Sequence, residues 1–197
     1  MTLARFLLLA LAAIAPLAGC GPVSAADVAA GKKLAEGCLA CHGPDGVSQM
    51  PLTPSLAAQP DDFTQWQLVY FRGGTRKSEV MEPIAEALSN DEIRNLGAYF
   101  ASLPPKPAAA ASPDALAVTG EKLALQHHCR SCHGNDYSGV GPAARLSGQR
   151  EDVLLKALHD FKSGKRVGSG VASMADATFE LNDADMQALA HYMATRP

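Results

Sequence analysis

The chain has 197 residues, 47% hydrophobic and 19% charged, a composition that suits one or two globular domains and excludes a disordered or multi-span membrane chain. Lys and Arg number 17 against 20 Asp and Glu, a formal charge of −3; with no basic excess to gather phosphates, nucleic acid is not an expected partner. Aromatic residues make up only 6% and the five cysteines are an odd number. The core is therefore expected to hold something besides side chains, and one cysteine to have a separate fate.

Residues 1–19 carry a single basic residue, Arg5, and an apolar run over 6–15. That run is too short for an ordinary transmembrane helix and reads as an export signal peptide. Two cleavage sites overlap. Ser24-Ala25-Ala26 offers small residues before a cut after 26, whereas Leu17-Ala18-Gly19-Cys20 has the form of a bacterial lipobox. Lipidation of Cys20 accounts for the odd cysteine and anchors the mature chain to a membrane. Either cut delivers the chain to the periplasm, where thiols can oxidise.

From Asp27 onward the sequence reads twice. Cys38-Leu39-Ala40-Cys41-His42-Gly43 returns 91 positions later as Cys129-Arg130-Ser131-Cys132-His133-Gly134. Leu56-Ala57-Ala58-Gln59 returns as Leu146-Ser147-Gly148-Gln149, and Phe71-Arg72-Gly73-Gly74 as Phe161-Lys162-Ser163-Gly164, both 90 positions on. Met81, Leu88, Leu96 and Tyr99 match Met174, Leu181, Leu189 and Tyr192 at 93. Two copies of one domain, 27–103 and 114–197, are expected on either side of a semi-rigid Pro/Ala linker over 104–113. The drifts in spacing fit insertions in loops.

Each copy reads as helices. Asp27 caps a first helix running toward Cys38, and Asp61 or Asp62 caps another that reaches Phe71 and stops at Gly73-Gly74. Ser89-Asn90-Asp91-Glu92 is a capping box opening a last helix with Ile93, Leu96 and Phe100 on one face. Met186, Leu189 and Met193 follow Asn182 in the second copy in the same way. With no sustained alternation of period two, the fold class is all-α. The Pro/Gly-rich segments 43–60 and 134–149 are irregular, and loops of that length need a function or a scaffold.

Cys-x-x-Cys alone fits a redox disulfide, half a zinc site or covalent haem attachment. The histidine that follows decides, because two thiols and an imidazole can thioether-link both vinyl groups of a haem and present a nitrogen to its iron. A shared zinc site leaves each repeat without a core, and a thioredoxin-like motif wants a βαβ setting. Two haem c groups are expected, on Cys38 with Cys41 and on Cys129 with Cys132, with His42 and His133 as iron ligands. The sixth ligand should occupy matching places in the repeat, which selects Met81 and Met174. Met186 and Met193 align with Ile93 and Phe100 and read as core. Met50 has no partner in the second copy but stays a rival to Met81. A thioether favours ferrous iron and closes the last axial position, as suits a carrier.

His127 and His128 precede Cys129 and read as exposed residues of the attachment helix, and His159 and His191 as surface or haem-edge residues. Trp66, Tyr70, Tyr99 and Tyr192 pack in the core or against haem. The first copy has 10 acidic and 6 basic residues, the second 10 and 9, so charges of −4 and −1 give the two ends different preferences for partners.

The paired attachment motifs, the Leu-x-x-Gln and Phe-x-x-Gly elements and the terminal Leu-x-x-Tyr helices resemble the di-haem class I c-type cytochromes, most closely the cytochrome c4 group, over residues 27–197. That resemblance implies two tandem cytochrome c-like domains related by a pseudo-twofold, each wrapped around one covalent haem with His and Met on its iron. It implies a periplasmic carrier, not an enzyme, passing single electrons from a quinol-oxidising complex to a terminal oxidase or reductase. The alternative it allows is the cytochrome subunit of a dehydrogenase complex. The lipobox departs from the group's usual leader.

Overall fold

A computed structural model describes residues 25–106, 114–168 and 171–196. Leader residues 1–24, with the lipobox and Cys20, and linker residues 107–113 lie outside the described residues. In the first copy α1 (Val28–His42) starts where the Asp27 carboxylate accepts the Ala29 and Ala30 N–H groups at 2.9 and 3.0 Å. Helix α2 (Asp61–Arg72) departs from expectation, because Pro60 is the N-cap and Asp61 and Asp62 fall in the first turn. There their charge meets the positive end of the helix dipole. A short α3 (Met81–Glu86) precedes α4 (Asn90–Ser102), whose capping box is formed as read: Ser89 Oγ accepts the Glu92 N–H, and Glu92 accepts the Ser89 N–H.

The second copy repeats the order with α5 (Ala115–Gln126), α6 (Arg130–His133), α7 (Glu151–Lys162), α8 (Ala172–Phe179) and α9 (Asp183–Thr195). Among the described residues there is no strand, only an isolated bridge between Val140 and Ala143, so the all-α reading holds. One detail differs. Where α1 runs unbroken to His42, its counterpart stops at Gln126. His128 turns left-handed (φ 54°), the Cys129 N–H reaches back to the Ala124 carbonyl and the His128 N–H to that of Leu125, which is a Schellman closure. His127 and His128 thus form a helix stop instead of continuing the attachment helix.

In each copy the first helix packs on the last, α1 on α4 and α5 on α9, while α2 and α7 pack on the same last helices from another side. The positions read as one face of each last helix are buried: Ile93, Leu96 and Phe100, and Met186, Leu189 and Met193. Gly31 and Gly120 make the crossings possible. A Cβ at Gly31 would stand 2.0 Å from the Asn95 carbonyl oxygen, and one at Gly120 2.1 Å from that of Ala188.

Between the copies the Leu-x-x-Gln elements meet reciprocally. The Gln149 side chain accepts the Ser55 N–H and donates to the Ser55 carbonyl, both at 2.9 Å. The Gln59 side chain accepts the Arg145 N–H and donates to the Arg145 carbonyl, both at 3.0 Å. Ser55 and Arg145 hold matching places in the repeat, so the contacts have pseudo-twofold form. The Asp152 carboxylate accepts the Leu52 N–H, and Gln67 Oε1 accepts from both Arg76 and Arg166.

His191 is a partly exposed residue that joins two helix starts. Its Nδ1 lies 2.9 Å from Glu151 in the first turn of α7 and its Nε2 3.1 Å from Asp114, the N-cap of α5. His159 is half exposed, 3.8 Å from Asp183.

Two expectations follow from this packing. Gly120→Ala must force α5 from α9, so the thermal midpoint of the second domain falls by the equivalent of about 3 kcal/mol or more; an unchanged melt contradicts the close crossing. The hydrogen bond to Glu151 is the main cause that raises the His191 pKa above 6.5. A raised folded-state pKa stabilises fully below the unfolded value and less as pH climbs through the folded one. His191→Gln is therefore expected to lower the melting temperature more near about pH 5.5 than near about pH 8.5.

Candidate haem-attachment sites

The last turn of α1 carries Cys38, Cys41 and His42, and α6 with its N-cap Cys129 carries Cys132 and His133. Cys38 and Cys129 are half-buried and Cys41 and Cys132 exposed. Burial pushes the Cys38 and Cys129 thiols up. His42 and His133 are only 8% and 7% exposed. His42 Nδ1 lies 2.8 Å from the Pro54 carbonyl oxygen, and His133 Nδ1 2.8 Å from that of Ala144. A carbonyl can only accept, so Nδ1 holds the proton and Nε2 keeps its lone pair, the arrangement of a metal-ligating imidazole. Burial also pushes both imidazole pKa values down, favouring the neutral form that ligation requires.

The carbonyls sit on the two irregular loops, which lie against a scaffold. In the first, the Leu56 and Ala57 N–H groups bond the Gly46 carbonyl and the Ala58 N–H bonds the Phe100 carbonyl on α4. In the second, the Leu146 and Ser147 N–H groups bond the Tyr137 carbonyl and the Gly148 N–H bonds the Met193 carbonyl on α9. The same bonds at the same repeat positions deliver Pro54 and Ala144 to their histidines.

Met81 opens α3 and Met174 lies in the first turn of α8, both half-buried. The residues four further on, Ala85 and Thr178, are both 0% exposed, so the two methionine helices share one register. Met50 is 45% exposed, and Met186 and Met193 are core residues at 1% and 4%. Trp66 is 47% exposed and stacks on Tyr70. Tyr99 and Tyr192 are buried in their domain cores, and the Tyr192 hydroxyl donates to Glu121 and accepts from Arg196. Among the described residues no three His, Cys, Asp or Glu side chains gather into a metal cluster.

Two arginines escaped the sequence reading. Arg76 and Arg166 lie over Phe71 and Phe161, at 4.5 and 4.6 Å from the ring centroids. Burial lowers their pKa to about 10 and about 9, Asp160 opposing the shift in each case. Extending the Phe-x-x-Gly match by two residues would have found them.

Two histidine-terminated cysteine pairs, each on its own helical domain and each imidazole oriented for an iron, define a tandem c-type cytochrome. The cytochrome c family profile matches residues 28–104 and 117–197, and the chain belongs to that family. It is 35% identical to cytochrome c4 of Thiocapsa roseopersicina over 85% of this chain and 91% of the relative. It is 33% identical to the thiosulfate dehydrogenase electron acceptor of Thiomonas intermedia over 94% of this chain and 90% of the relative. The crystal structure of reduced recombinant cytochrome c4 from Pseudomonas stutzeri superposes with a TM-score of 0.80 at 30% identity, covering 88% of this chain and all of that one. The chain accordingly carries two covalently bound haem c groups, one in each domain.

Intact mass under denaturing conditions should exceed the processed polypeptide by two haems; an increment of one or none contradicts this account. His42→Ala should impair maturation of the first domain and leave the second loaded, since each site closes within its own domain.

Proposed function

We propose that this chain is a periplasmic di-haem electron carrier, with domains over 27–103 and 114–197 joined by the linker 104–113. The observation that carries the reading is the repeated, buried histidine, held through Nδ1 by a loop carbonyl directly after a pair of cysteines. When bound, each haem supplies a reversible one-electron change of its iron. Cys38 with Cys41 and Cys129 with Cys132 would form the thioethers that hold it, His42 and His133 would offer Nε2 to the iron, and Met81 and Met174 would offer their sulfurs to it. An iron held by an imidazole and a thioether of the chain would have no room for a substrate, which suits electron transfer without catalysis of a reaction of its own. A quinol-oxidising complex as donor and a terminal oxidase or reductase as acceptor fit such a carrier.

A second reading, electron acceptor of a dehydrogenase, is favoured by the similarity to the Thiomonas intermedia protein. Stopped-flow mixing separates the two: the carrier reading expects rapid oxidation of the reduced protein by a cytochrome oxidase. The second expects fast reduction only by a partner dehydrogenase. Steady thiosulfate or peroxide turnover by the purified chain alone overturns both.

Met81→Ala or Met174→Ala should remove half of the near-infrared sulfur-to-iron band and lower one of the two potentials, because a weaker sixth ligand stabilises ferrous iron less. If Met50→Ala removes that band and Met81→Ala does not, Met50 is the first-domain ligand. Lipidation of Cys20 is supported by the lipobox, and each buried acyl methylene contributes about 0.8 kcal/mol of membrane affinity. Membrane fractionation should find the wild type bound and Cys20→Ser released. A wild type that is soluble with Asp27 as its first residue shows cleavage after 26 instead.

A further inference from the structure

The carbonyl that accepts from His42 and the N–H that donates to Gln149 belong to one peptide unit, the bond between Pro54 and Ser55. The same holds on the other side, where the Ala144–Arg145 peptide accepts from His133 and donates to Gln59. Each chain of bonds therefore runs from an imidazole of one domain, through one amide, to a glutamine of the other. The glutamines are nearly closed to water, Gln59 at 3% and Gln149 at 7% exposure, and Gln149 Oε1 also accepts the Arg150 N–H at 3.0 Å. An amide whose N–H is engaged carries more negative charge on its oxygen, because linked hydrogen bonds polarise one another in a poorly screened interior. A stronger acceptor at Nδ1 makes the imidazole a stronger donor at Nε2, which favours ferric iron.

We propose that Gln149 tunes the haem of the first domain and Gln59 that of the second, each glutamine acting across the interface as a positioning residue on the other domain's axial histidine. The proposal rests on His42 and His133 being the iron ligands. It makes the interface part of the redox setting: separating the domains or repacking their contact raises both potentials, while a single glutamine addresses the far haem selectively.

The test uses the matured di-haem protein, with the haem resonances assigned by their contacts to each domain. Gln149→Leu should raise the ferrous-to-ferric ratio of the first-domain haem about threefold at a fixed ambient potential. It should move the His42 Nδ1–H resonance upfield in the reduced protein and leave the second domain's signals in place. Gln59→Leu should do the reverse. Gln149→Met, which keeps the side chain's length and removes its bonds, serves if the leucine variant does not fold. In the wild type a scalar coupling through the hydrogen bond should join the Ser55 nitrogen to the Gln149 side-chain carbonyl carbon. Equal shifts in both haems, shifts confined to the mutated domain, or absence of the coupling overturn the relay while leaving the ligands intact. Haem spectra of the wild type that lack histidine nitrogen overturn the ligand assignment beneath it.

Discussion

Everything in each domain is arranged around one constraint: an imidazole at the end of a helix must be neutral, fixed in rotation and proton-bearing on Nδ1 only. A lone histidine after a helix stop has none of these properties. The chain imposes them with a carbonyl, and a carbonyl can be delivered only by a segment that leaves its own backbone oxygen unclaimed, which regular helix does not. That is the physical reason for a long irregular loop in an otherwise helical protein. The loop is fastened at both ends by backbone bonds, to an early turn and to the last helix, so the imidazole is oriented by α4 or α9 at one remove. The first-to-last helix crossing, with one glycine in each copy, is then part of the same device, since it sets where the last helix stands relative to the attachment turn.

The interface uses the outward side of the same loops. Each buried amide group there would cost about 1–3 kcal/mol if left without a partner, and the two glutamines satisfy both groups of the facing residue at once. A symmetric pair of such contacts fixes the register of one domain on the other in a way that apolar packing does not, because a slip of one residue would strand all the groups together. Arg76 and Arg166 add a second symmetric feature, two guanidiniums over matched phenylalanines that share one glutamine oxygen.

Much of this was legible in the sequence, for different physical reasons in different places. The attachment motif is legible because thioether formation and ligation need particular side chains at fixed spacing. The last helices are legible because a capping box and an apolar face act locally. The acceptor of each histidine proton was not legible, since Pro54 and Ala144 contribute main-chain oxygens and no residue type marks them. The partner of Gln59 is likewise a backbone, 86 positions away. Asp61 is not the N-cap because proline at the preceding position supplies extended backbone of its own, and the two carboxylates on His191 were not legible because they come from helices distant in sequence.

The helix stop at His127 and His128 has a consequence for how the two copies diverged. From Gly31 to Cys38 is 7 positions, and from Gly120 to Cys129 is 9. At about 100° per residue, two extra residues within a continuous helix would swing the cysteines and histidine to nearly the opposite side, roughly 200° from the loop whose carbonyl His133 meets. The left-handed residue discards that rotation: α5 ends on its own bonds, and the attachment turn starts afresh with its own phase. Angular register, not chain length, is therefore the quantity the second copy preserves, and it does so by breaking the helix that the first copy keeps whole.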